Sequence, residues 1–295
     1  MSFATEVKGE LAGIVPARDS ACLQELRGLA VGSHAVVTGP KAGGSSRLRL
    51  APLRNQIART AVKLARRLGA EAKATPVPGA TERTLAVEMP LLPRLARWLR
   101  PDPRLPATPG DRRALLRGFF LACGSVNAPS ARYHLELVPP TPAWAEALRQ
   151  VLADHDIHAG VSERAHQPLL YIKEGDGVAG TLSLLGASRA VMAFESARVV
   201  REVSAQINRQ LNFETANLEK VAEGASRQVA AIRRLERSGR LAQLTPALRQ
   251  MAATRLAEPE LSLEELALRL ELSKSGANHR LRRLMREATK LDGPG

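Results

Sequence analysis

The chain contains two copies of a similar segment, and this repeat limits the folds available to it. Leu26-Arg27-Gly28 begins the first copy and Leu116-Arg117-Gly118 begins the second. Apolar residues follow in each, and the copies end at Gly32-Ser33 and at Gly124-Ser125. A short match in a chain rich in Ala, Leu and Arg can arise by chance, so the sequence after each copy has to support it.

The patterns after the two copies come in the same order, which supports the repeat. The first copy continues with a Gly-rich turn, a strand-like alternation and a helical periodicity at Pro40–Ser45, Arg47–Leu50 and Ile57–Leu68. The second continues with the same three patterns at Asn127–Ala131, Tyr133–Leu137 and Trp144–Leu152. A further strand and an apolar helix follow, at Thr84–Met89 and Leu91–Leu99, and at Leu169–Lys173 and Gly177–Leu185. We therefore predict an α+β domain of two αββαβ repeats.

Proline and glycine indicate where the chain divides. The stretch Arg100–Pro109 contains four prolines, which neither a helix interior nor a central strand accepts, so it is interpreted as the linker between repeats. Strand patterns stop near residue 197, and the rest is essentially helical. The predicted organisation is a domain at 1–197 with repeats at about 1–100 and 110–197, a helical linker at 198–240, and an all-α domain at 241–295.

The charge balance favours an anionic partner. The net charge is +14 and the sequence pI is about 10.8, which disfavours cationic partners. Aromatic residues make up only 3 % of the chain, so duplex DNA is a better expectation than unpaired bases stacked on rings. Residues 1–197 carry a net charge of +8 and the remainder +6, so charge alone does not locate the site.

Several classes of protein are disfavoured. The two cysteines, Cys22 and Cys123, provide neither a disulfide framework nor metal-ligand spacing, and we expect no cofactor and no metal. The longest stretch without charge, Gly118–Ala131, is too short to span a membrane, and the N-terminus lacks a secretory pattern. We therefore expect a cytoplasmic, nucleoid-associated protein with no membrane partner.

The strongest local motif lies between Thr245 and Thr289. Thr245-Pro246 is typical of a helix start, and Glu258-Pro259 of its end. Ser262-Leu263-Glu264-Glu265 is a capping box that begins a second, short helix. A tight turn at Leu270–Leu272 precedes a third helix, capped by Ser273 or Ser275. Three helices with a short turn between the last two indicate a helix-turn-helix.

The third helix has one apolar face and one basic face. Its apolar stripe, predicted to pack on the other helices, consists of Ala277, Leu281, Leu284 and Ala288. Asn278 and His279 lie where a recognition helix meets base edges, and asparagine pairs well with adenine. A basic helix face is also compatible with simple solvation; the capping box, the turn and the net charge favour DNA. The predicted contacts are Ser273, Lys274, Ser275, Asn278, His279, Arg280, Arg282, Arg283 and Arg286.

Three segments resemble the WhiA family of bacterial transcription regulators. They are the helix-turn-helix at Leu261–Arg282, the segment from Asn208 to Ile232, and the run Ala114–Ser125. The resemblance covers nearly the whole chain in the same order. It implies a LAGLIDADG-like domain, related to homing endonucleases, followed by a helix-turn-helix domain. It also implies control of sporulation septation, or of cell division and chromosome segregation.

The resemblance also bears on catalysis. The homing endonucleases use one aspartate from each motif helix to hold the catalytic metal, and the corresponding positions here carry Val31 and Cys123. Valine has no donor atom, and Mg²⁺ requires hard oxygen ligands. We therefore expect no catalytic residues and no enzymatic activity. The small residues at Gly28 and Gly118 would still let the two motif helices approach closely.

The segment joining the domains is rich in asparagine, whose side chain is unfavourable within a helix. This composition indicates a second DNA contact or a surface between domains, at Asn208, Arg209, Asn212, Asn217 and Lys220.

Two alternatives to a DNA-binding regulator remain open. One is a scaffold that binds RNA polymerase or a sigma factor through residues 1–197. The other is an active endonuclease that uses Cys123 or a nearby acid such as Asp111 or Glu136.

Overall fold

The computed structural model describes residues 2–39, 45–79, 84–99 and 103–292. The chain divides into two compact units, Met1–Glu202 and Val203–Gly295, and each is described by itself. The Gly-rich turn predicted at Pro40–Ser45 lies, except for Ser45, outside the described residues, as do the first three residues of the predicted linker Arg100–Pro109.

The first unit contains two repeats of helices and strands. After an N-terminal helix, α1 (Phe3–Leu11), the elements of the first repeat are α2 (Asp19–Gly32), β1 (Val36–Thr38), β2 (Arg47–Arg54), α3 (Asn55–Arg67), β3 (Lys73–Pro76), β4 (Thr84–Pro90) and α4 (Pro93–Ala96). Those of the second are α5 (Pro109–Cys123), β5 (Gly124–Val126), β6 (Leu135–Leu137), α6 (Pro142–Ala153), β7 (Gly160–Arg164), β8 (Gln167–Ile172) and α7 (Gly175–Leu185). The helix α8 (Ser188–Arg237) starts in this unit. The predicted α+β class with two repeats is confirmed.

Each repeat forms a four-stranded antiparallel sheet, in the orders β1-β2-β4-β3 and β5-β6-β8-β7. The strand alternations identified in the sequence correspond to the central strands. The edge strands were not predicted, because they are short and β1, β3 and β7 expose almost every residue, which leaves no alternation of apolar and polar residues. Two predicted elements are shorter than expected: the helix at 91–99 spans Pro93–Ala96, and the strand at 133–137 spans Leu135–Leu137.

The motif helices α2 and α5 pack closely because glycine faces glycine between them. A Cβ atom added at Gly28 would lie 2.3 Å from the carbonyl oxygen of Leu115, and one added at Gly118 would lie 2.2 Å from that of Glu25. Neither position accepts a larger side chain without moving backbone. The predicted close approach of the two helices is therefore confirmed, and it joins the two sheets through one continuous core.

The two equivalent motif arginines are both buried. Arg117 donates from Nε to Oε2 of Glu25 at 3.0 Å and from Nη1 to the carbonyl oxygen of Leu185 at 3.3 Å. The guanidinium of Arg27 lies 4.7 Å from the ring centre of Trp98 and 4.8 Å from that of Trp144, with no carboxylate partner among the described residues. Each side chain also contacts the other repeat: Arg117 binds Glu25 of α2, and Arg27 lies against Trp144 of α6.

The described part of the second unit contains helices and no strands. Its elements are the rest of α8 and the three helices α9 (Pro246–Ala257), α10 (Leu263–Arg269) and α11 (Lys274–Thr289). The C-terminal part of α8 contributes Ala231, Ile232 and Leu235 to a core shared with the other three helices. Within the described residues, none of the helices has the length and apolar character needed to cross a membrane.

Candidate nucleic-acid interface

The start of α10 is fixed by the predicted capping box. The backbone N–H of Ser262 donates to Oε2 of Glu265 at 2.8 Å, and the N–H of Glu265 donates to Oγ of Ser262 at 3.2 Å. These hydrogen bonds hold the pKa of the Glu265 carboxyl below its usual range. Two backbone donors at the helix start are satisfied, so α10 begins at a defined residue.

A three-residue turn then sets the start of α11. Glu271 adopts a positive φ of 52°, and the N–H of Leu272 donates to the carbonyl oxygen of Ala267 at 2.8 Å. Of the two serines predicted as caps, Ser273 is the one used: its Oγ accepts from the N–H of Gly276 at 3.1 Å. Lys274 donates to Glu264 at 3.0 Å, which ties the first turn of α11 to the first turn of α10.

One face of α11 is held against the unit's core. Its four apolar residues are buried as predicted: Ala277, Leu281, Leu284 and Ala288. They pack with residues of α9 and α10, such as Met251 and Leu266. Because this stripe is fixed, the orientation of the opposite face of α11 is fixed too.

Arg255 is a structural residue that the sequence analysis missed. It lies near the end of α9, is 2 % exposed, and donates from Nη1 to the carbonyl oxygens of Leu261 at 2.5 Å and Pro259 at 3.3 Å. Burial lowers the pKa of its guanidinium. The side chain holds the loop between α9 and α10, and its spacing in the apolar face of α9 gives no sign of this role.

The predicted contact residues of α11 form one accessible surface. Asn278 and Arg280 are half-buried, and the other seven are exposed: Ser273, Lys274, Ser275, His279, Arg282, Arg283 and Arg286. Lys274 is paired with Glu264, whereas Arg280, Arg282 and Arg286 form no ion pair with any part of the chain that the structure describes. An exposed guanidinium without an acidic neighbour is available to a phosphate or to the edge of guanine.

The predicted second contact lies in the middle of α8. All five residues are exposed on that helix: Asn208, Arg209, Asn212, Asn217 and Lys220. At 100° per residue they occupy the polar half of the helix surface. Three glutamates in the same stretch, Glu214, Glu219 and Glu223, outnumber its two cations, so attraction to phosphates here is weak.

The positions of the nuclease aspartates lie near the ends of the motif helices. Val31 is half-buried near the end of α2, and Cys123 ends α5, where its thiol donates to the carbonyl oxygen of Phe119 at 3.3 Å. Burial raises the pKa of the Cys123 thiol to about 11, so it is protonated at neutral pH. Among the described residues, no group of three or more histidines, cysteines and acids is placed to hold a metal.

The two acids named for the endonuclease alternative have other partners. Asp111 is in the first turn of α5, the opposite end from Cys123, and accepts from the hydroxyl of Ser20 at 3.0 Å. Glu136 lies on β6 and accepts from Arg164 at 3.1 and 3.2 Å. These contacts, together with that from His134, hold the pKa of the Glu136 carboxyl low despite partial burial.

Two family models match the chain. The WhiA LAGLIDADG-like domain matches residues 112–204, and the WhiA C-terminal HTH domain matches residues 207–288. The crystal structure of full-length DUF199/WhiA from Thermotoga maritima superposes with a TM-score of 0.66 at 24 % identity, covering 98 % of this chain and 99 % of that one. This similarity supports the fold.

Curated relatives agree with the family models. "Probable cell division protein WhiA" of Symbiobacterium thermophilum is 45 % identical over 68 % of this chain, an alignment that covers 63 % of the relative's length. The protein of the same name from Moorella thermoacetica is 36 % identical over 100 % of this chain and 94 % of its own length. Since this similarity extends through both the repeated domain and the helix-turn-helix, the chain belongs to the WhiA family.

Proposed function

We propose that the protein is a transcription regulator that binds duplex DNA sequence-specifically through α11. The observation that supports this most strongly is the surface of α11: Arg282 and Arg286, unpaired within the described residues, lie opposite the buried stripe, and Asn278 lies beside it. Asn278 and His279 read base edges in the major groove, and the arginines contact phosphates, whereas Lys274 contacts a phosphate only by leaving Glu264. Binding to DNA would associate the protein with the nucleoid.

The regulated processes are proposed from the family. The relatives above are named as probable cell division proteins. We therefore propose control of cell division, of chromosome segregation and, in sporulating organisms, of septation. Genome-wide immunoprecipitation with a motif search tests this proposal. Enrichment of a shared motif upstream of division and segregation genes is expected, whereas recovery of DNA without any shared motif would contradict sequence-specific regulation.

We propose that the repeated domain has lost nuclease activity and is not an enzyme. Val31 and Cys123 stand where a homing endonuclease needs metal-binding aspartates, and Asp111 and Glu136 are held by neighbouring side chains. The direct test is incubation of the full chain with duplex DNA and Mg²⁺ or Mn²⁺. Cleavage that is abolished by Cys123→Ala or Glu136→Gln would overturn this proposal.

The exposed faces of the two sheets favour a second role for the repeated domain. Arg49 pairs with Glu88 at 3.6 Å on one sheet, and Arg164 pairs with Glu136 on the other. Cations already paired are poorly placed to attract phosphates, which favours a protein partner such as RNA polymerase or a sigma factor. Binding of residues 1–197 to isolated polymerase subunits and sigma factors, compared with their binding to DNA, tests this role.

The polar side of α8 is proposed as an accessory DNA contact. Arg209 and Lys220 lie on it, and the side-chain amides of Asn208, Asn212 and Asn217, which have no hydrogen-bond partner among the described residues, can donate to phosphates or bases. Replacing Asn212 and Asn217 with alanine should weaken operator binding without lowering the melting temperature. Unchanged affinity with lower melting would make these two residues structural.

A further inference from the structure

The middle of α8 carries an apolar stripe that no other described residue of the second unit covers. Every side chain from residue 206 to 223 is exposed. Ile207 and Leu211 are each 53 % exposed, Leu218 is 70 % exposed and Val221 is 43 % exposed. Large apolar side chains grouped in this way mark an interaction surface.

The spacing of the stripe selects another helix as its partner. The steps from Ile207 to Leu211, Glu214, Leu218 and Val221 alternate between four and three residues, which is the repeat of a coiled-coil seam. The same alternation continues through Ala225 and the half-buried Gln228 to Ile232 and Leu235, and the last two are buried in the core of the second unit. The uncovered stripe is thus the extension of a seam that already packs on helices.

The helix itself needs such a partner. The stretch 206–223 contains three asparagines and a threonine, which are poor helix formers, and Gly224 follows it. A helix of this composition without tertiary packing is marginal in water. Covering the stripe supplies the missing stabilisation.

The flanks of the stripe fit a second copy of the chain. The residues that border it carry no charge: Asn208, Gln210, Thr215, Asn217 and Ala222. The charged residues Arg209, Glu219, Lys220 and Glu223 lie outside these flanks. Two identical helices can therefore approach without like charges meeting at the flanks, and a basic or acidic foreign helix would find no complementary flank.

We propose that two copies of the chain pair through Ile207, Leu211, Leu218 and Val221, with the two α8 helices parallel and in register. Glu214 is the exception within the seam; its Oε1 accepts from Nε2 of Gln210 at 3.1 Å. In register it faces the same carboxylate of the second copy, so the pairing is weak and reversible at neutral pH. If α11 binds DNA as proposed above, the pair presents two recognition helices to a site with two-fold symmetry.

Sedimentation velocity of the full-length chain without DNA tests the pairing, and its outcome is independent of DNA binding. The wild type is expected to show a reversible monomer–dimer equilibrium. Leu218→Glu should weaken it by about 100-fold, because it buries a charge in an apolar seam, and Glu214→Leu should tighten it by at least about tenfold. A gain in Glu214→Leu that remains a reversible monomer–dimer equilibrium distinguishes tighter pairing from aggregation.

Phe213→Glu is the matched control. Phe213 is 68 % exposed on the same stretch of α8 but lies away from the seam, so its replacement should leave the dimer constant unchanged. The proposal is overturned if both the wild type and Glu214→Leu remain monomeric up to about 100 μM. It is also overturned if Phe213→Glu dissociates the pair as completely as Leu218→Glu does.

Discussion

Arginine has opposite roles in the two units. In the repeated domain, the motif residues Arg27 and Arg117 are buried between helices and bind carbonyl oxygens, tryptophan rings and Glu25. On α11, Arg282 and Arg286 are exposed and unpaired within the described chain. The first pair stabilises the fold, and the second remains available to a ligand.

This difference shows why net charge does not locate a binding site. The repeated domain holds the larger part of the excess charge, +8 of +14, yet its motif arginines are internal. The environment of each guanidinium decides its role: burial with fixed acceptors makes it structural, and exposure without an acidic neighbour makes it available to phosphate. The two units should therefore respond separately to mutation.

Gly118→Val should produce the largest difference between the responses of the two units. Its new Cβ would lie 2.2 Å from the carbonyl oxygen of Glu25, so the motif helices have to move apart at a cost above about 3 kcal/mol. Both tryptophans, Trp98 and Trp144, lie in the first unit, so tryptophan fluorescence should report its unfolding. DNA binding by the second unit should persist.

Gly224→Ala is the control for this substitution. Gly224 lies within α8 in the second unit, and an added Cβ would meet nothing within 4 Å outside the local helix backbone, so alanine should leave the tryptophan transition of the first unit unchanged. If Gly118→Val left the tryptophan melting transition unchanged, the close packing of α2 on α5 would be wrong.

Glu25→Gln should have the next largest effect. It leaves the buried guanidinium of Arg117 without its carboxylate and should lower the stability of the first unit by about 3 kcal/mol. The double variant Glu25→Leu with Arg117→Met removes both charges and should recover much of that loss. Chemical denaturation followed by tryptophan fluorescence measures both; equal destabilisation of the single and double variants would contradict a buried ion pair.

Arg282→Ala combined with Arg286→Ala should change binding and not stability. Each side chain is exposed, so the melting temperature should stay constant, while DNA affinity falls by about 1 to 2 kcal/mol as two contacts are lost. The slope of log affinity against log salt should decrease in magnitude by about 2. A lower melting temperature with an unchanged salt slope would assign these arginines to the fold instead.

The smallest effect is expected at Lys8, a half-buried cation of the first unit. Burial lowers the pKa of its ammonium to about 8, so the folded chain binds fewer protons than the unfolded chain between pH 8 and 10.5, and stability rises with pH there. Lys8→Met should raise the melting temperature at pH 7 by about 2 to 4 °C. The gain should shrink by pH 10; a gain independent of pH would contradict this origin.

The features that the sequence predicted well have local causes. The capping box at Ser262 and Glu265, the stripe from Ala277 to Ala288 and the central strands depend on periodicity and on hydrogen bonds between near neighbours. Apart from the approach of α2 to α5 at Gly28 and Gly118, long-range contacts could not be predicted from the sequence. The edge strands β1 and β3 form only because β2 and β4 offer partners, and the role of Arg255 depends on a loop that folds back to it.

The most direct test of recognition by α11 is selection of binding sites from random duplexes by the wild-type chain and by Asn278→Ala. The wild type should enrich one motif. The variant should enrich the same motif with one base pair relaxed, which corresponds to a loss of about 1 to 3 kcal/mol in discrimination at that position. An identical motif with unchanged preference at every position would show that α11 does not read the DNA through Asn278.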